Sequence, residues 1–279
     1  MTSHLKAGVM GWPVDHSRSP ALHGFWLKTY GINGSYARLA VPPAELKTAL
    51  GALHHQGFSG VNLTVPHKEA ALSFVDQVAP EARRIGAINT IFITADGKLR
   101  GVNTDAYGFM TNLRTGAPTY RPETGPAVVL GAGGAARAVC CALQDAGVPE
   151  VRVVNRTFAR AEALAAALGT PLVAYPWEKT AAALKDAALL VNTTTLGMTG
   201  QPPLEIDLSP LPTAAVVNDI VYVPLETPLL AAARARRNPV VDGLGMLLYQ
   251  AQPGFAGWFG VRPEVTPALR AHVLANGAP

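Results

Sequence analysis

Short apolar segments alternate along the whole chain with longer segments of helical periodicity. This alternation predicts an α/β protein. The strands predicted from the apolar segments are residues 6–10, 36–41, 60–65, 127–130, 151–154, 189–192, 215–219 and 240–241. The predicted helices are residues 20–30, 43–55, 67–75, 80–85, 105–113, 133–146, 244–257 and 267–275. Two further strands, residues 88–94 and 98–102, flank the dipeptide Asp96-Gly97 and form a predicted hairpin.

Composition and charge narrow the class of protein. The chain has 279 residues, 49% of them hydrophobic and 15% charged, and a mean hydropathy of +0.19, so two domains with their own cores are expected. No apolar segment is long enough for a transmembrane helix, and the N-terminus lacks the apolar region of a signal peptide. A cytoplasmic protein is therefore expected. Adjacent Cys140 and Cys141 lie inside a predicted helix, which favours buried packing over a disulfide or a metal site.

The positive charge does not point to nucleic acid. The net charge is +4, but the basic residues form no run longer than a pair, and no recognised reader motif is present. A mild positive balance is compatible with anionic small molecules. We therefore expect small-molecule ligands, no nucleic-acid partner and no membrane partner, while the sequence leaves open whether the protein is a monomer or a homodimer.

The segment after the predicted strand at residues 127–130 matches a dinucleotide-binding turn. Its sequence, Gly131-Ala132-Gly133-Gly134-Ala135-Ala136, fits the pattern G-x-G-x-x-G/A. Gly131 permits the tight turn, Gly133 lets the backbone approach a pyrophosphate, and Ala136 lets the next helix pack closely on the strand. The N-terminus of that helix favours phosphate. The surrounding strands and helix make the pattern specific, although a doubly wound domain with another ligand, or with none, stays an alternative.

The residues after the second strand of this region indicate which dinucleotide is bound. An NAD site usually has Asp or Glu there, to bind the ribose 2′-hydroxyl. This chain has Asn155-Arg156-Thr157 instead, with Arg160 one helical turn further on. The missing carboxylate and the two guanidinium groups suit a 2′-phosphate. The predicted cofactor is therefore NADP.

Polar residues of the first half of the chain collect where its predicted strands end, which is where open α/β sheets bind ligands. They are Ser17, Ser19, Asn62, Thr64, Lys68, Asn89, Thr90, Asn103, Thr104 and Asp105. Some have simpler interpretations: Ser19 as a helix N-cap, Asn103 as a turn residue and Lys68 as a solvated helix residue. Together they supply the groups needed to bind a polyhydroxylated acid and to move a proton.

At these positions the chain resembles the shikimate dehydrogenases. The matching motifs, in chain order, are His16-Ser17-Arg18-Ser19-Pro20 for H-S-x-S-P, Asn62 to Lys68 for N-x-T-x-P-x-K, Gly86 to Thr90 for G-A-x-N-T, Gly101 to Asp105 for G-x-N-T-D, Asn155 to Thr157, Asn192 to Met198, and Asp242 to Leu247 with Gln250. The resemblance extends from about residue 6 to residue 275. One small departure is Thr195, where Pro or Ser is expected.

The resemblance implies a domain organisation and a reaction. Residues 1–104 would form an N-terminal α/β substrate domain, completed by terminal helices in residues 242–279, and residues 105–241 a Rossmann-type, doubly wound NADP domain. The implied reaction is reversible hydride transfer between NADPH and the C3 ketone of 3-dehydroshikimate, which gives shikimate for aromatic amino-acid biosynthesis.

The resemblance also implies roles for individual residues. Ser17 and Ser19 would bind the substrate carboxylate. The ring hydroxyls would be bound by Thr64, Lys68, Asn89, Asp105 and Gln250, with Tyr222 nearby. NADP would be held by Gly131, Ala132, Gly133, Gly134, Ala135, Asn155, Arg156, Thr157 and Arg160. Ile220 and Gly243 would line the nicotinamide pocket.

The chemistry of the reaction agrees with a catalytic role for Lys68 and Asp105. Hydride delivery to a ketone produces an alkoxide that needs a proton, which the cofactor does not supply. A lysine such as Lys68 is protonated at neutral pH, and Asp105 can hold its ammonium group in place. His67 is an alternative proton donor, but neighbouring helical residues point in different directions. No metal site is expected.

Two alternative functions remain open from sequence. The enzyme could prefer quinate or accept both substrates, although quinate-preferring relatives tend to have Thr at the position of Ser19 and an acidic residue at the position of Asn155. The chain could also be a non-catalytic NADP or metabolite sensor on the same fold. Such a sensor would be free to lose its proton donor, yet Lys68 and Asp105 are both present.

Overall fold

A computed structural model describes residues 4–276. The described chain divides into two compact units. The first contains the residues up to Thr104 together with those from Leu247 onward, and the second contains Asp105 to Met246. The division expected from sequence has its boundaries after residues 104 and 241, whereas this one has them after residues 104 and 246. Each unit contains one six-stranded sheet among its described residues.

The first unit begins with six strands and four helices. Its strands are β1 (Leu5–Gly11), β2 (Gly34–Ala40), β3 (Phe58–Leu63), β4 (Gln77–Val78), β5 (Thr90–Ile93) and β6 (Leu99–Val102). Its helices up to Thr104 are α1 (Ser19–Thr29), α2 (Leu46–Ala52), α3 (His67–Ala70) and α4 (Pro80–Ile85), with short 3₁₀ turns at Pro43–Glu45 and Ala71–Ser73.

The second unit alternates strands and helices. Its strands are β7 (Ala127–Leu130), β8 (Val151–Asn155), β9 (Leu172–Pro176), β10 (Leu189–Asn192), β11 (Val216–Asp219) and β12 (Val240–Val241). Its helices are α5 (Asp105–Gly116), α6 (Gly134–Asp145), α7 (Phe158–Leu168), α8 (Thr180–Leu184) and α9 (Pro228–Ala235), with 3₁₀ turns at Pro122–Thr124 and Trp177–Lys179. Helix α10 (Leu244–Phe259) then leads back to the first unit, which ends with α11 (Pro267–Ala275).

The first sheet is mixed, with strand order β2-β1-β3-β5-β6-β4. Strands β1, β2 and β3 are parallel, and β5 runs antiparallel both to β3 and to β6. The pairing of β5 with β6 confirms the predicted hairpin. One face of the sheet packs on a core that includes Met10, Leu50 and Val61, and its opposite face carries Val9 and Asn62, which are register partners.

The second sheet is entirely parallel, with strand order β12-β11-β10-β7-β8-β9. Numbered from β7, this is the strand arrangement of a doubly wound dinucleotide-binding sheet. Strands β7 and β10 are fully buried, as expected where helices cover both faces of a parallel sheet. The predicted α/β fold class is confirmed. Cys140 and Cys141 are free thiols buried in α6, which confirms their predicted packing role.

Several predicted elements need correction. Ser19 is not a helix N-cap: Arg18 holds that position, and Ser19 and Pro20 are the first helical residues. The helix predicted at residues 67–75 is a short α3 followed by a 3₁₀ turn, because the carbonyl of Lys68 accepts the backbone N–H of Ile88 at 2.7 Å instead of extending the helix. The helix predicted at residues 43–55 is also interrupted, with α2 ending at Ala52 before the left-handed Gly57.

Across residues 4–276, no helix is both long enough and apolar enough to cross a bilayer.

Candidate functional site

One edge of the first sheet gathers the polar residues predicted from sequence. Strands β1, β3 and β6 run in the same direction, so their carboxyl ends share an edge, and antiparallel β5 starts there. Ser17 follows β1, Thr64 and Lys68 follow β3, Asn89 directly precedes β5, and Thr104 follows β6. The edge is the place where an α/β sheet offers its side chains to a ligand.

The two serines after β1 lie at the start of a helix. Ser19 is 7% exposed and opens α1, and its backbone N–H donates to Ser17 Oγ at 3.3 Å. Arg38 of β2 donates to the carbonyl of Ser17 through Nη2 at 2.8 Å and Nε at 3.2 Å. Two hydroxyls, a helix N-terminus and a guanidinium group are thus brought together, a combination suited to a carboxylate.

An amide and hydroxyl network lies at the same edge of the sheet. Asn89 is 2% exposed, and its Nδ2 donates to Thr104 Oγ1 at 3.0 Å and to Gln250 Oε1 at 3.2 Å. Its Oδ1 accepts the backbone N–H of Thr104 at 2.8 Å. Asn62 Nδ2 donates to Thr90 Oγ1 at 3.0 Å. The hydrogen bond between Asn89 and Gln250 joins two residues that lie 161 positions apart in the sequence.

One short segment, residues 88 and 89, holds the backbones of Lys68 and Thr104. The carbonyl of half-buried Lys68 accepts the N–H of Ile88 at 2.7 Å, and the next residue, Asn89, holds the backbone of Thr104. Asp105 follows Thr104 directly, opens α5 and is only 4% exposed. A buried carboxylate at the first residue of a helix gains stabilisation from the helix dipole.

His67, the alternative proton donor, is engaged elsewhere. It is 1% exposed, and its Nε2 donates to the carbonyl of Val41 at 2.8 Å. Burial lowers the pKa of His67 below its usual value, opposed by the hydrogen bond to Val41, which raises it. A neutral imidazole that already donates to the backbone is a poor acid for the reaction.

The predicted dinucleotide turn joins β7 to α6 in the second unit. Gly131 has a φ of +110°, a conformation that side chains rarely adopt, and a Cβ there would approach Thr193 Oγ1. Thr193 Oγ1 in turn donates to the carbonyl of Leu130 at 2.6 Å, which ties β7 to the residue after β10. Gly133 is the N-cap of α6, and a Cβ built on it would meet open space. The turn leaves room for a pyrophosphate at the start of the helix.

The end of β8 carries the residues predicted to select the cofactor. Asn155 Nδ2 donates to the carbonyl of Thr157 at 2.8 Å, which closes the turn before α7. Arg156 and Arg160 are both exposed, and the N–H of Arg160 donates to Thr157 O at 3.0 Å. Two guanidinium groups thus flank the first turn of α7, where a dinucleotide-binding fold receives the adenosine ribose.

The loop after β11 brings together the residues predicted to line the nicotinamide pocket. A Cβ on Gly243 would overlap the carbonyl of Ile220, so the two residues are in close contact. Buried Asp219 fixes this loop: its Oδ1 accepts the N–H of Val221 at 3.0 Å, and its Oδ2 accepts the hydroxyl of Thr227 at 2.7 Å. Burial raises the pKa of Asp219 to about 6, against these hydrogen bonds. Tyr222, three residues later, is half-buried.

Sequence reasoning missed some residues of these sites. Arg38, Tyr36 and Asp219 are absent from the predicted set, although they contact Ser17, Asn62 and Val221 respectively. A polar residue ending the apolar strand β11 was the one available signal for Asp219, since buried acids usually have a specific hydrogen-bonding role. Arg38 and Tyr36 lie inside the edge strand β2, and the alternating pattern of that strand does not mark them as functional residues.

Comparison with known proteins gives matches along the chain. The family model described as "Shikimate dehydrogenase substrate binding domain" matches residues 9–91, and that described as "Shikimate / quinate 5-dehydrogenase" matches residues 121–197. A shikimate dehydrogenase (NADP(+)) of Paramagnetospirillum magneticum is 62% identical over 269 residues, which are 96% of this chain and 98% of the relative.

Solved structures agree in fold over nearly the full length. Shikimate 5-dehydrogenase of Thermus thermophilus, in complex with NADP(H) and shikimate, has a TM-score of 0.86 and 43% identity, and the match covers 97% of this chain and 99% of that one. Quinate dehydrogenase of Corynebacterium glutamicum, in complex with NAD, has a TM-score of 0.90 and 34% identity, and the match covers 98% and 100% of the two chains.

Proposed function

The chain belongs to the shikimate dehydrogenase family, and we propose that it catalyses the reversible, NADPH-dependent reduction of 3-dehydroshikimate to shikimate in aromatic amino-acid biosynthesis. The observation that carries the proposal is the presence, in one chain, of two complementary binding sites. The second unit has a dinucleotide turn followed by arginine rather than an acid. The first unit has buried amides and hydroxyls around Asn89.

The residues of the second unit fit NADP. The open space over Gly133 and the twelve-residue helix α6 behind it suit a pyrophosphate. The turn residues Gly131, Ala132, Gly133, Gly134 and Ala135 are assigned to the pyrophosphate, and Asn155, Arg156, Thr157 and Arg160 to the adenosine 2′-phosphate and ribose. Ile220 and Gly243 are assigned to the nicotinamide. When bound, NADPH supplies the hydride of the reaction.

The start of α1 is assigned to the substrate carboxylate. The hydroxyls of Ser17 and Ser19 donate to the carboxylate oxygens, and the helix N-terminus favours the negative charge. Arg38, held on the carbonyl of Ser17, adds positive charge and fixes the loop. Because the carboxylate keeps its charge throughout the reaction, these contacts bind substrate and transition state alike.

The binding of the ring hydroxyls is assigned to six polar residues. The residues are Thr64, Lys68, Asn89, Asp105, Gln250 and Tyr222. Asn89 and Gln250 support this assignment most directly, because Asn89 Nδ2 and Gln250 Oε1 already form a hydrogen bond that fixes both amides. Prearranged amides bind hydroxyls with little loss of side-chain entropy.

Lys68 is assigned as the general acid, with Asp105 as its partner. Reduction of the ketone leaves an oxygen at C3 that must receive a proton, and the ammonium group of Lys68 donates it. The carboxylate of Asp105 orients that ammonium group by charge-assisted hydrogen bonding. In the reverse direction, Lys68 accepts the proton from the C3 hydroxyl as the ketone forms.

Quinate oxidation with NAD is the second candidate, since quinate dehydrogenase is among the similar structures. Two features of the sequence favour shikimate and NADP. Ser19 is present where quinate-preferring relatives tend to have Thr, and Asn155-Arg156 is present where an acidic residue would bind the ribose of NAD. A non-catalytic sensor is disfavoured because Lys68 and Asp105 are both retained.

The experiment is an assay of the purified protein with shikimate or quinate, each with NADP or NAD. Formation of reduced cofactor is followed by absorbance. The proposal predicts the highest kcat/KM for shikimate with NADP. A higher kcat/KM for quinate with NAD would support the second candidate, and no turnover with any pair would support the sensor.

Location and assembly complete the proposal. We place the protein in the cytoplasm, where this biosynthetic reaction finds NADPH, and expect a monomer or a homodimer. Fractionation of cells and light scattering of the purified protein test these two points.

A further inference from the structure

Tyr36, in the edge strand β2, reaches across a neighbouring strand into the polar network. Tyr36 pairs with Ala7 of β1, and Asn62 of β3 pairs with Val9 of β1, so all four side chains lie on the same face of the sheet. The side chain of Tyr36 extends across β1, and its hydroxyl donates to Asn62 Oδ1 at 2.6 Å. A short, partly buried hydrogen bond of this kind fixes which way the Asn62 amide points.

The surroundings of Tyr36 favour its protonated form. Burial raises the pKa of Tyr36 well above its usual value. The hydroxyl therefore keeps its proton near pH 7 and acts as the donor toward Asn62 Oδ1.

The hydrogen bonds from Tyr36 onward run in one direction. Each group donates to the next in the order Tyr36, Asn62, Thr90, Asn89, Gln250 and the carbonyl of Leu247. A chain of aligned donors polarises its members and makes each bond dependent on its neighbours. Removing one link leaves the next acceptor without its donor and permits its amide to flip.

The ring of Tyr36 is held by a separate contact. His23 of α1 is fully buried and stacks on Tyr36 with ring centroids 3.9 Å apart and an interplanar angle of 4°. Among the described residues, neither ring nitrogen of His23 has a hydrogen-bond partner. Burial lowers the pKa of His23 to about 3, so the stacking ring is neutral near pH 7. A phenylalanine at position 36 could stack equally well, so packing alone does not account for the hydroxyl.

We propose that Tyr36 is a positioning residue that fixes the Asn62 amide and, through Thr90, the amides of Asn89 and Gln250 that are assigned to the ring hydroxyls. This inference rests on the proposed function. Tyr36 is not among the residues assigned above to proton transfer or to the cofactor. Its loss should therefore affect substrate binding and leave the chemical step largely intact.

The test is a double-mutant cycle with Tyr36→Phe and Asn62→Ala, measured as KM, kcat and shikimate dissociation constant. Tyr36→Phe should raise the KM for shikimate by about 3- to 10-fold, the cost of one hydrogen bond. The values of kcat and of KM for NADP should change less than about 2-fold. In the Asn62→Ala background, the same substitution should have a smaller effect, because the two residues act together. Tyr30→Phe is the matched control, since the Tyr30 hydroxyl accepts the N–H of Glu264 outside this network.

Other outcomes overturn the inference. Additive effects of Tyr36→Phe and Asn62→Ala would mean that Tyr36 does not act through Asn62. Equal losses in Tyr36→Phe and Tyr30→Phe, or a loss confined to melting temperature, would make Tyr36 an ordinary core residue. If the wild-type protein neither binds nor oxidises shikimate, the proposed function fails and takes the inference with it, whereas an active wild type with additive variants refutes the inference alone.

Discussion

The side-chain oxygen of Asn89 accepts the backbone N–H of Thr104 at 2.8 Å, which joins the start of β5 to the end of β6 and fixes the residue before Asp105. Both residues are buried, so neither group can exchange its partner for water at low cost. The contact connects the hairpin to the proposed catalytic aspartate. It also leaves Asn89 Nδ2 directed at Gln250.

Asn89→Ala should therefore reduce both stability and substrate binding. Loss of the acceptor for a buried N–H should lower the free energy of unfolding by about 1–3 kcal/mol, and the KM for shikimate should rise. Urea unfolding and steady-state kinetics provide the two measurements. Asn103→Ala is a matched control, because buried Asn103 donates to the carbonyl of Ala87 at 3.0 Å. If only stability fell in Asn89→Ala, with KM unchanged, Asn89 would be a structural residue.

The sequence predicts those elements of the fold whose formation depends on residues close together in the chain. The glycine turn after β7, the hairpin of β5 and β6, and the six-residue helix α4 need only neighbouring residues for their recognition. Strand β9 has a weak pattern, because Leu172 is its one buried residue, and it is absent from the predicted strands.

The residues of the site could be predicted from the sequence only where they belong to a recognised motif. Tyr36 and Asn62 are 26 positions apart, and their contact depends on β1 lying between β2 and β3 in a particular register. Periodicity in one sequence contains no information on strand order or register. The same limit applies to Arg38, whose partner Ser17 lies on a loop 21 positions away.

Arg156→Ala should change cofactor preference. A hydrogen bond to a charged group contributes about 1.5–3 kcal/mol, so the affinity for NADP should fall by about 10-fold or more while that for NAD changes little. Titration of intrinsic fluorescence with each cofactor gives both dissociation constants. Arg121→Ala is the control, since Arg121 is exposed in the same unit and donates to the carbonyl of Pro118. Parallel losses for NADP and NAD would rule out a 2′-phosphate contact.

Ser17→Ala and Ser19→Ala should each raise the KM for shikimate and spare kcat, because the carboxylate does not change during the reaction. The expected cost is about 1.5–3 kcal/mol per hydrogen bond to the carboxylate. Ser19 makes no N-cap hydrogen bond, so a loss of helix capping does not complicate its substitution. Ser35→Ala, on the exposed Ser35 that contacts His4, is the control. Unchanged KM in both variants would contradict the assignment of the carboxylate.

His23 and Asp219 should contribute to stability with opposite pH dependence. The pKa of His23 falls from 6.5 to about 3 on folding, so the unfolded chain binds the extra proton and stability from this group is lost as pH falls below 6.5. The pKa of Asp219 rises from 3.8 to about 6, so the folded protein binds the extra proton and stability from this group is lost as pH rises through 6.

Urea unfolding of His23→Phe and Asp219→Asn between about pH 4 and pH 6 measures these terms as the free energy of unfolding of each variant minus that of the wild type. The difference should decrease with pH in His23→Phe and increase with pH in Asp219→Asn, with slopes up to about 1.4 kcal/mol per pH unit. Slopes of the same sign in both variants would contradict the protonation states derived from burial.

The most direct measurement of the central claim compares kcat for shikimate oxidation with NADP in the wild type and in Lys68→Ala. A proton-transfer role predicts a kcat at least about 100-fold lower in Lys68→Ala, with the dissociation constant for NADP unchanged and with full activity in Lys47→Ala, which removes an exposed lysine of α2. A raised KM with intact kcat in Lys68→Ala would contradict the claim, because Lys68 would then bind the substrate without transferring its proton.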